Sequence, residues 1–229
     1  MTTDNVTTNT EITDQSTRGP LRHDDPRCTF AKVVTLAGEV IGAVRPDQLD
    51  DPTPCGEMDV RALLGHLLEV LDRVAVIGRN ENPFAAPPVP PVADDAWLGA
   101  WQETAHAVQA AWSDPAVLER IVDLPWSQVS GGETLDGYVS ELTVHTWDLA
   151  VATGQHPTFD DDVVAVGFAA IRKILPDCDR AAMIAAAAES MPPELRDFPV
   201  PFADVVPVAP DAPLIDRLVA WNGRTPAQA

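Results

Sequence analysis

Between Tyr138 and Ala152, at about 100° per residue, Tyr138, Leu142, Leu149 and Ala152 line up as one apolar stripe, and Glu141 and His145 fall inside that stripe rather than opposite it. A helix of this kind must bury its stripe against a partner that also satisfies an inward carboxylate and imidazole. Left unpaired, buried polar groups cost roughly 2–7 kcal/mol, and charges more. The segment Glu141-Leu-Thr-Val-His145-Thr-Trp-Asp148 therefore calls for either a buried hydrogen-bonded pair or a cation.

A third ligand is available upstream, in Asp59-Val-Arg-Ala-Leu-Leu-Gly-His66-Leu-Leu-Glu-Val-Leu-Asp72. There Val60, Leu63, Leu64, Leu67, Leu71 and Val74 recur at helical spacing, and His66 sits at the edge of their stripe. If the two helices pack side by side, His66 meets Glu141 and His145. Two nitrogens and one carboxylate oxygen suit zinc or another divalent ion at a site that keeps one position open for water or substrate. Asp148, one turn beyond His145, is placed to orient an imidazole or to carry a proton.

The rest of the chain also reads as helical. Residues 1–27 are rich in Thr, Asp and Asn and are expected to form a disordered tail, because they cannot bury enough apolar surface to offset chain entropy. Organisation is expected from Cys28 to the end, residues 28–229. A first helix through Phe30, Val33, Ala37, Val40, Ile41 and Val44 stops before Pro46, and a second spans about 59–78 with Asp59 as its cap. The proline-dense stretch 82–91 predicts an extended connection or the rim of a site. Asp94 is expected to cap a third helix, whose Trp97, Trp101, Ala105, Val108 and Trp112 form a core stripe. Residues 121–133 look extended with a Gly-Gly turn, after which Thr134 is expected to cap the helix carrying Glu141 and His145, ending near Gly154. Further helices are expected at about 160–175 and 179–190.

The runs Thr53-Pro54-Cys55-Gly56-Glu57-Met58-Asp59-Val60-Arg61-Ala62-Leu63-Leu64-Gly65-His66-Leu67, Glu141-Leu-Thr-Val-His145-Thr-Trp147-Asp148-Leu149-Ala150 and Thr153-Gly154 resemble the mycothiol-dependent maleylpyruvate isomerase-like branch of the DinB-like superfamily, actinobacterial metal proteins. The C-terminal run Val208 to Pro226 looks like the tail of a largely uncharacterised metal-binding subgroup of that branch. The resemblance implies an all-α fold, a DinB-like up-and-down four-helix bundle with extra C-terminal helices. It also implies that His66, Glu141 and His145 are the metal ligands, that the metal is Zn2+ or another divalent ion, and that mycothiol is the low-molecular-weight thiol. A homodimer is the family habit. The chain departs from the isomerases after about Arg180, where it is rich in Ala and Pro and lacks the alternating strands of their second domain.

Charge narrows the partners. A net charge of −20 repels phosphate backbones and argues against nucleic-acid binding, and no apolar run is long enough for a membrane span. No secretory leader is visible at the start, so a cytoplasmic location is expected. An anionic substrate needs local positive help, for which Arg61, Arg172, Arg217 and Arg224 are candidates. Cys28, Cys55 and Cys178 lack CxxC spacing; Cys55 precedes a helix N-terminus that can lower a thiol pKa, but is expected to be a small buried residue closing the turn. His106 and His156 have no ligand-like partner. The functional expectation is thiol transfer or isomerisation, with a small-molecule electrophile and a low-molecular-weight thiol as partners. The alternatives are a non-catalytic metal-binding or ligand-sensing bundle, and a core network that has lost its metal.

Overall fold

The computed structural model describes residues 25–56, 58–85, 87–124, 127–190 and 203–226. Most of the expected tail, up to position 24, lies outside the described residues. Helix α1 (Pro26–Gly42) starts slightly ahead of Cys28, because Asp25 accepts a 2.9 Å bond from the Arg27 amide and Pro26 needs no amide partner in the first turn. In α2 (Val60–Gly78), Asp59 caps as expected, accepting from the Ala62 amide at 2.8 Å. There follow α3 (Trp97–Ala111), the short α4 (Ala116–Glu119), a hairpin of β1 (Ile121–Leu124) and β2 (Ser127–Ser130), then α5 (Gly131–Thr153), α6 (Asp161–Ile174), α7 (Arg180–Ser190) and α8 (Leu214–Trp221).

Helices α1, α2, α3 and α5 make the bundle, and side-chain bonds fix their directions. Arg27, at the start of α1, donates to the carbonyls of Trp112 and Ser113 at the end of α3, so these two helices are antiparallel. Trp112 donates to Val74 near the end of α2 at 2.8 Å, so α2 and α3 run the same way. Gln155, just past α5, donates to Val40 near the end of α1, so α5 runs with α1 and against α2. Two helices up and two down require one long return, and the proline-rich connection between α2 and α3 supplies it along an α2 about 28 Å long.

Helix α5 packs against α1, α2, α6 and α8, and this is why it is buried on nearly every side. The main core joins α1, α2, α3 and α5; Trp101, Val108 and Trp112 of the aromatic stripe are buried in it, with Trp97 and Ala105 packed alongside. A second cluster of Val144, Trp147, Val164, Ile171, Leu175, Leu218 and Val219 fixes α6 and α8 to the outer side of α5. The C-terminal segment is thereby held on the helix that carries the candidate site.

Three local expectations are corrected. Asp94 does not cap α3, which starts after Ala96; its carboxylate is drawn instead to Arg61 of α2. Thr134 does not cap α5. Ser130 does, one turn earlier, because Ser130 and Glu133 bond each other's amides reciprocally at 3.2 and 3.1 Å, while the Thr134 hydroxyl donates to the Ser130 carbonyl. Gly131 and Gly132 are consequently the first residues of α5 rather than a turn, and β1 pairs with β2 from Ile121↔Ser130 to Leu124↔Ser127. The left-handed Gly154 ends α5 as expected.

Gly167 marks the closest approach of α6 to α5: a Cβ there would lie 2.9 Å from the Ser140 Cα. Gly167→Ala is expected to destabilise by about 1–3 kcal/mol through overpacking. Gly65→Ala, whose Cβ would meet nothing within 4 Å, is expected to stabilise α2 by up to about 1 kcal/mol through helix propensity. Urea unfolding of both variants checks this, and shifts of the same sign would contradict the tight contact.

Candidate metal centre

The antiparallel packing of α2 on α5 brings His66 to Glu141 and His145. His66 Nε2 lies 3.6 Å from Glu141 Oε1, and the His66 and His145 rings meet edge to face with centroids 4.7 Å apart. One donor atom from each of the three residues lies within 4.8 Å of the others. Donors about 2.1 Å from a shared tetrahedral ion stand about 3.4 Å apart, so small side-chain rotations bring these three to metal distance. Glu141 keeps 33% of its side chain exposed and His66 18%, whereas His145 is buried. The cluster opens to solvent on the Glu141 and His66 side.

Behind His145 stands a buried relay. Its Nδ1 is 3.1 Å from Asp148 Oδ2, and because a carboxylate only accepts, Nδ1 carries the proton and Nε2 keeps the lone pair. Arg224, from the segment after α8, clamps Asp148 with Nε at 3.2 Å from Oδ1 and Nη2 at 2.9 Å from Oδ2. The same guanidinium donates to the Asn222 carbonyl at 2.8 Å and to Cys55 Sγ at 3.1 Å. Cys55, His145 and Asp148 also cluster closely enough to hold an ion. The donors of that group are engaged with one another and with Arg224, whereas His66 and Glu141 make no bond to that guanidinium.

Protonation follows the same geometry. Burial lowers the pKa of His145, outweighing the pull of Asp148, and leaves the imidazole neutral. Burial works to raise Asp148, but the bonds from His145 and Arg224 overcome it and hold the carboxyl below its usual range. Glu141 is likewise held low, burial being outweighed by His66, His145 and Arg73. The thiol of Cys55 goes the other way, since burial pushes it up against the pull of Arg224. Cys55 is thus the small buried residue closing the turn that the sequence suggested, not an activated thiol.

These directions set the pH dependence of stability. Unfolded His145 takes up a proton near its ordinary pKa of about 6.5, which the folded protein refuses. Stability is therefore expected to fall as pH drops below about 6.5, until His145 protonates in the native state as well. Glu141 and Asp148 add a second loss at lower pH: their contribution is full above ordinary carboxylate values and disappears as pH falls through their depressed folded ones. Urea midpoints between about pH 8 and 5 should show the first loss in the wild type and not in His145→Gln.

The other candidates separate cleanly. His106 and His156 are exposed and apart from the cluster. Arg61 pairs with Asp94 and Asp50, while Arg172 and Arg217 lie over the rings of Phe168 and Trp221. Only the tie of Arg224 to Asp148 was missed, and no local pattern signals it, because the two residues are 76 positions apart.

Fold and cluster together define a helical bundle of DinB-like type with residues able to hold a metal ion. More particularly, the family model for the mycothiol maleylpyruvate isomerase N-terminal domain matches residues 31–150, and the chain belongs to that family. Two uncharacterized proteins of Mycobacterium tuberculosis, from strains CDC 1551 and H37Rv, are each 29% identical over 204 residues, covering 88% of this chain and 98% of their own length. No solved structure matches the chain significantly. Among the described residues, no helix is long and apolar enough to cross a membrane.

Proposed function

We propose that this chain is a divalent-metal-dependent enzyme, most simply a zinc enzyme, that transfers or isomerises a small electrophile with a low-molecular-weight thiol, mycothiol by family. The observation that carries this reading is the 3.1 Å contact of His145 Nδ1 with Asp148 in a residue that also lies in the His66–Glu141 cluster. An imidazole fixed by a carboxylate on one nitrogen keeps the other for a metal. His66, Glu141 and His145 would hold the ion, which when bound lowers the pKa of a coordinated water or thiol and so supplies a nucleophile at neutral pH.

The chain's own residues divide the remaining work. Asp148 and Arg224 hold the orientation and charge of His145 from behind, in a region closed to water, since Asp148 is fully buried. Asp148 is thus a positioning residue rather than an acid or base that touches substrate. Glu141 and His66 form the exposed lip over which a thiol and its electrophile can approach. A purely structural metal would be closed by a fourth protein donor. Among the described residues the next donor, Cys55, is instead occupied by Arg224, which favours the enzymatic reading.

Metal analysis by mass spectrometry of protein purified without a His tag tests the first half, with about one divalent ion per chain expected. Calorimetric titration with mycothiol tests the second. Binding that requires the metal and disappears in His145→Ala is the expected result, and mycothiol binding equally well to metal-free protein would sink the thiol role.

A further inference from the structure

The proline-rich connection between α2 and α3 supplies no residue to the His66–Glu141–His145 cluster, and its exposure follows a rule of its own. Pro87 and Pro88 are exposed, Val89 is half-buried, Pro90 and Pro91 are exposed, and Val92 is half-buried again. Both valines pack against the main core. A burial period of three belongs neither to an α-helix nor to a strand; it is the repeat of the polyproline II helix, in which every third residue returns to the same edge. The bonding agrees. Among the described residues, no backbone hydrogen bond starts or ends between 87 and 92, as in a polyproline II segment, which makes none within itself.

Both ends of the segment are tied down. On the α2 side, Asn82 accepts from the Phe84 amide through its side chain at 2.9 Å and from the Ala85 amide through its carbonyl at 3.1 Å. On the α3 side, Asp94 is paired with Arg61 of α2, and the Ala96 amide donates to the Ala93 carbonyl at 2.9 Å. With Val89 and Val92 also seated on the bundle, the segment has little freedom left to lose on binding.

We propose that residues 87–92 form a polyproline II ridge, about 19 Å long, that docks into an aromatic-lined groove on another protein. One edge, Val89 and Val92, is used by the chain's own core. The other two, Pro87 with Pro90 and Pro88 with Pro91, face solvent side by side. Aromatic-lined grooves recognise PxxP segments, and both exposed edges have that spacing. Charge narrows the partner further. Glu81, Asp94 and Asp95 flank the ridge and are exposed, on a chain of net charge −20, so the groove that fits is rimmed by Lys or Arg. The ridge is independent of the metal reading.

Calorimetric titration of the full chain with three purified readers of polyproline II helices, a Src-homology-3 domain, a WW domain and profilin, tests this. At least one is expected to bind, the tightest being the one with the most basic groove rim. Pro87→Ala with Pro90→Ala, and separately Pro88→Ala with Pro91→Ala, should each weaken that binding by about tenfold or more. All four prolines are exposed, so the fold is retained, which an unchanged circular dichroism spectrum checks. A synthetic peptide of residues 82–96 separates the ridge from the bare sequence. The full chain is expected to bind at least as tightly as the peptide, because the fold has already ordered the segment. Binding by the peptide and not by the chain, no binding to any of the three readers, or unchanged affinity in both double variants overturns the ridge.

Discussion

His145→Ala is expected to abolish stoichiometric binding of a divalent metal, whereas Asp148→Asn lowers the affinity by about 10–100-fold and leaves one ion per chain at saturation. The asymmetry follows from where each side chain acts. His145 is held by Asp148 through its Nδ1, and its neighbours cannot replace it. Val144 and Thr146 point about 100° to either side; Val144 is packed in the second core and the Thr146 hydroxyl donates to the Leu142 carbonyl at 2.6 Å. Asp148 reaches the metal position only through His145. An amide in its place keeps an acceptor for Nδ1 but loses the charge that stiffens the bond. Competitive titration against a chromogenic chelator measures both variants. If Asp148→Asn loses metal as completely as His145→Ala, Asp148 is itself a ligand and the site is closed, which favours a structural ion.

The parts of the site that were legible in the sequence are those written in helical periodicity. Glu141 and His145 stand out because they interrupt an apolar stripe, and His66 because it edges another; the structure brings these three together. Asp148 is legible for the same reason, one turn from His145. Arg224 is not, because its meaning depends on how the chain after α8 returns to α5. Helix boundaries failed where side chains had a rival partner. Asp94 had the features of a cap and was taken by Arg61, and Thr134 lost its place to the Ser130–Glu133 pair one turn earlier. The Gly131-Gly132 pair misled as a turn, because glycine is needed there for a close approach: a Cβ on Gly131 would lie 2.1 Å from the Val117 carbonyl oxygen.

Arg224→Met is expected to cost about 3–5 kcal/mol in urea unfolding, the penalty for leaving a buried charge without its partner. Asp148 is fully buried and Arg224 nearly so, so water cannot take over the lost bonds. The variant also shifts protons. Deprived of the guanidinium, the Asp148 carboxylate draws its compensating charge from His145, whose protonated imidazole has no lone pair for a metal, so metal affinity at neutral pH falls and recovers as pH is raised. Arg224→Lys should rescue only part of the stability, since one ammonium cannot span both carboxylate oxygens as Nε and Nη2 do. The double variant Arg224→Met with Asp148→Asn removes the charge along with its partner and is expected to be more stable than the sum of the two single losses predicts. Strict additivity, or a cost below about 1 kcal/mol for Arg224→Met, would mean that the C-terminal segment merely rests on α5. Coupling would instead make that segment, which lies beyond the part of the chain matched by the family model, a working component of the metal centre.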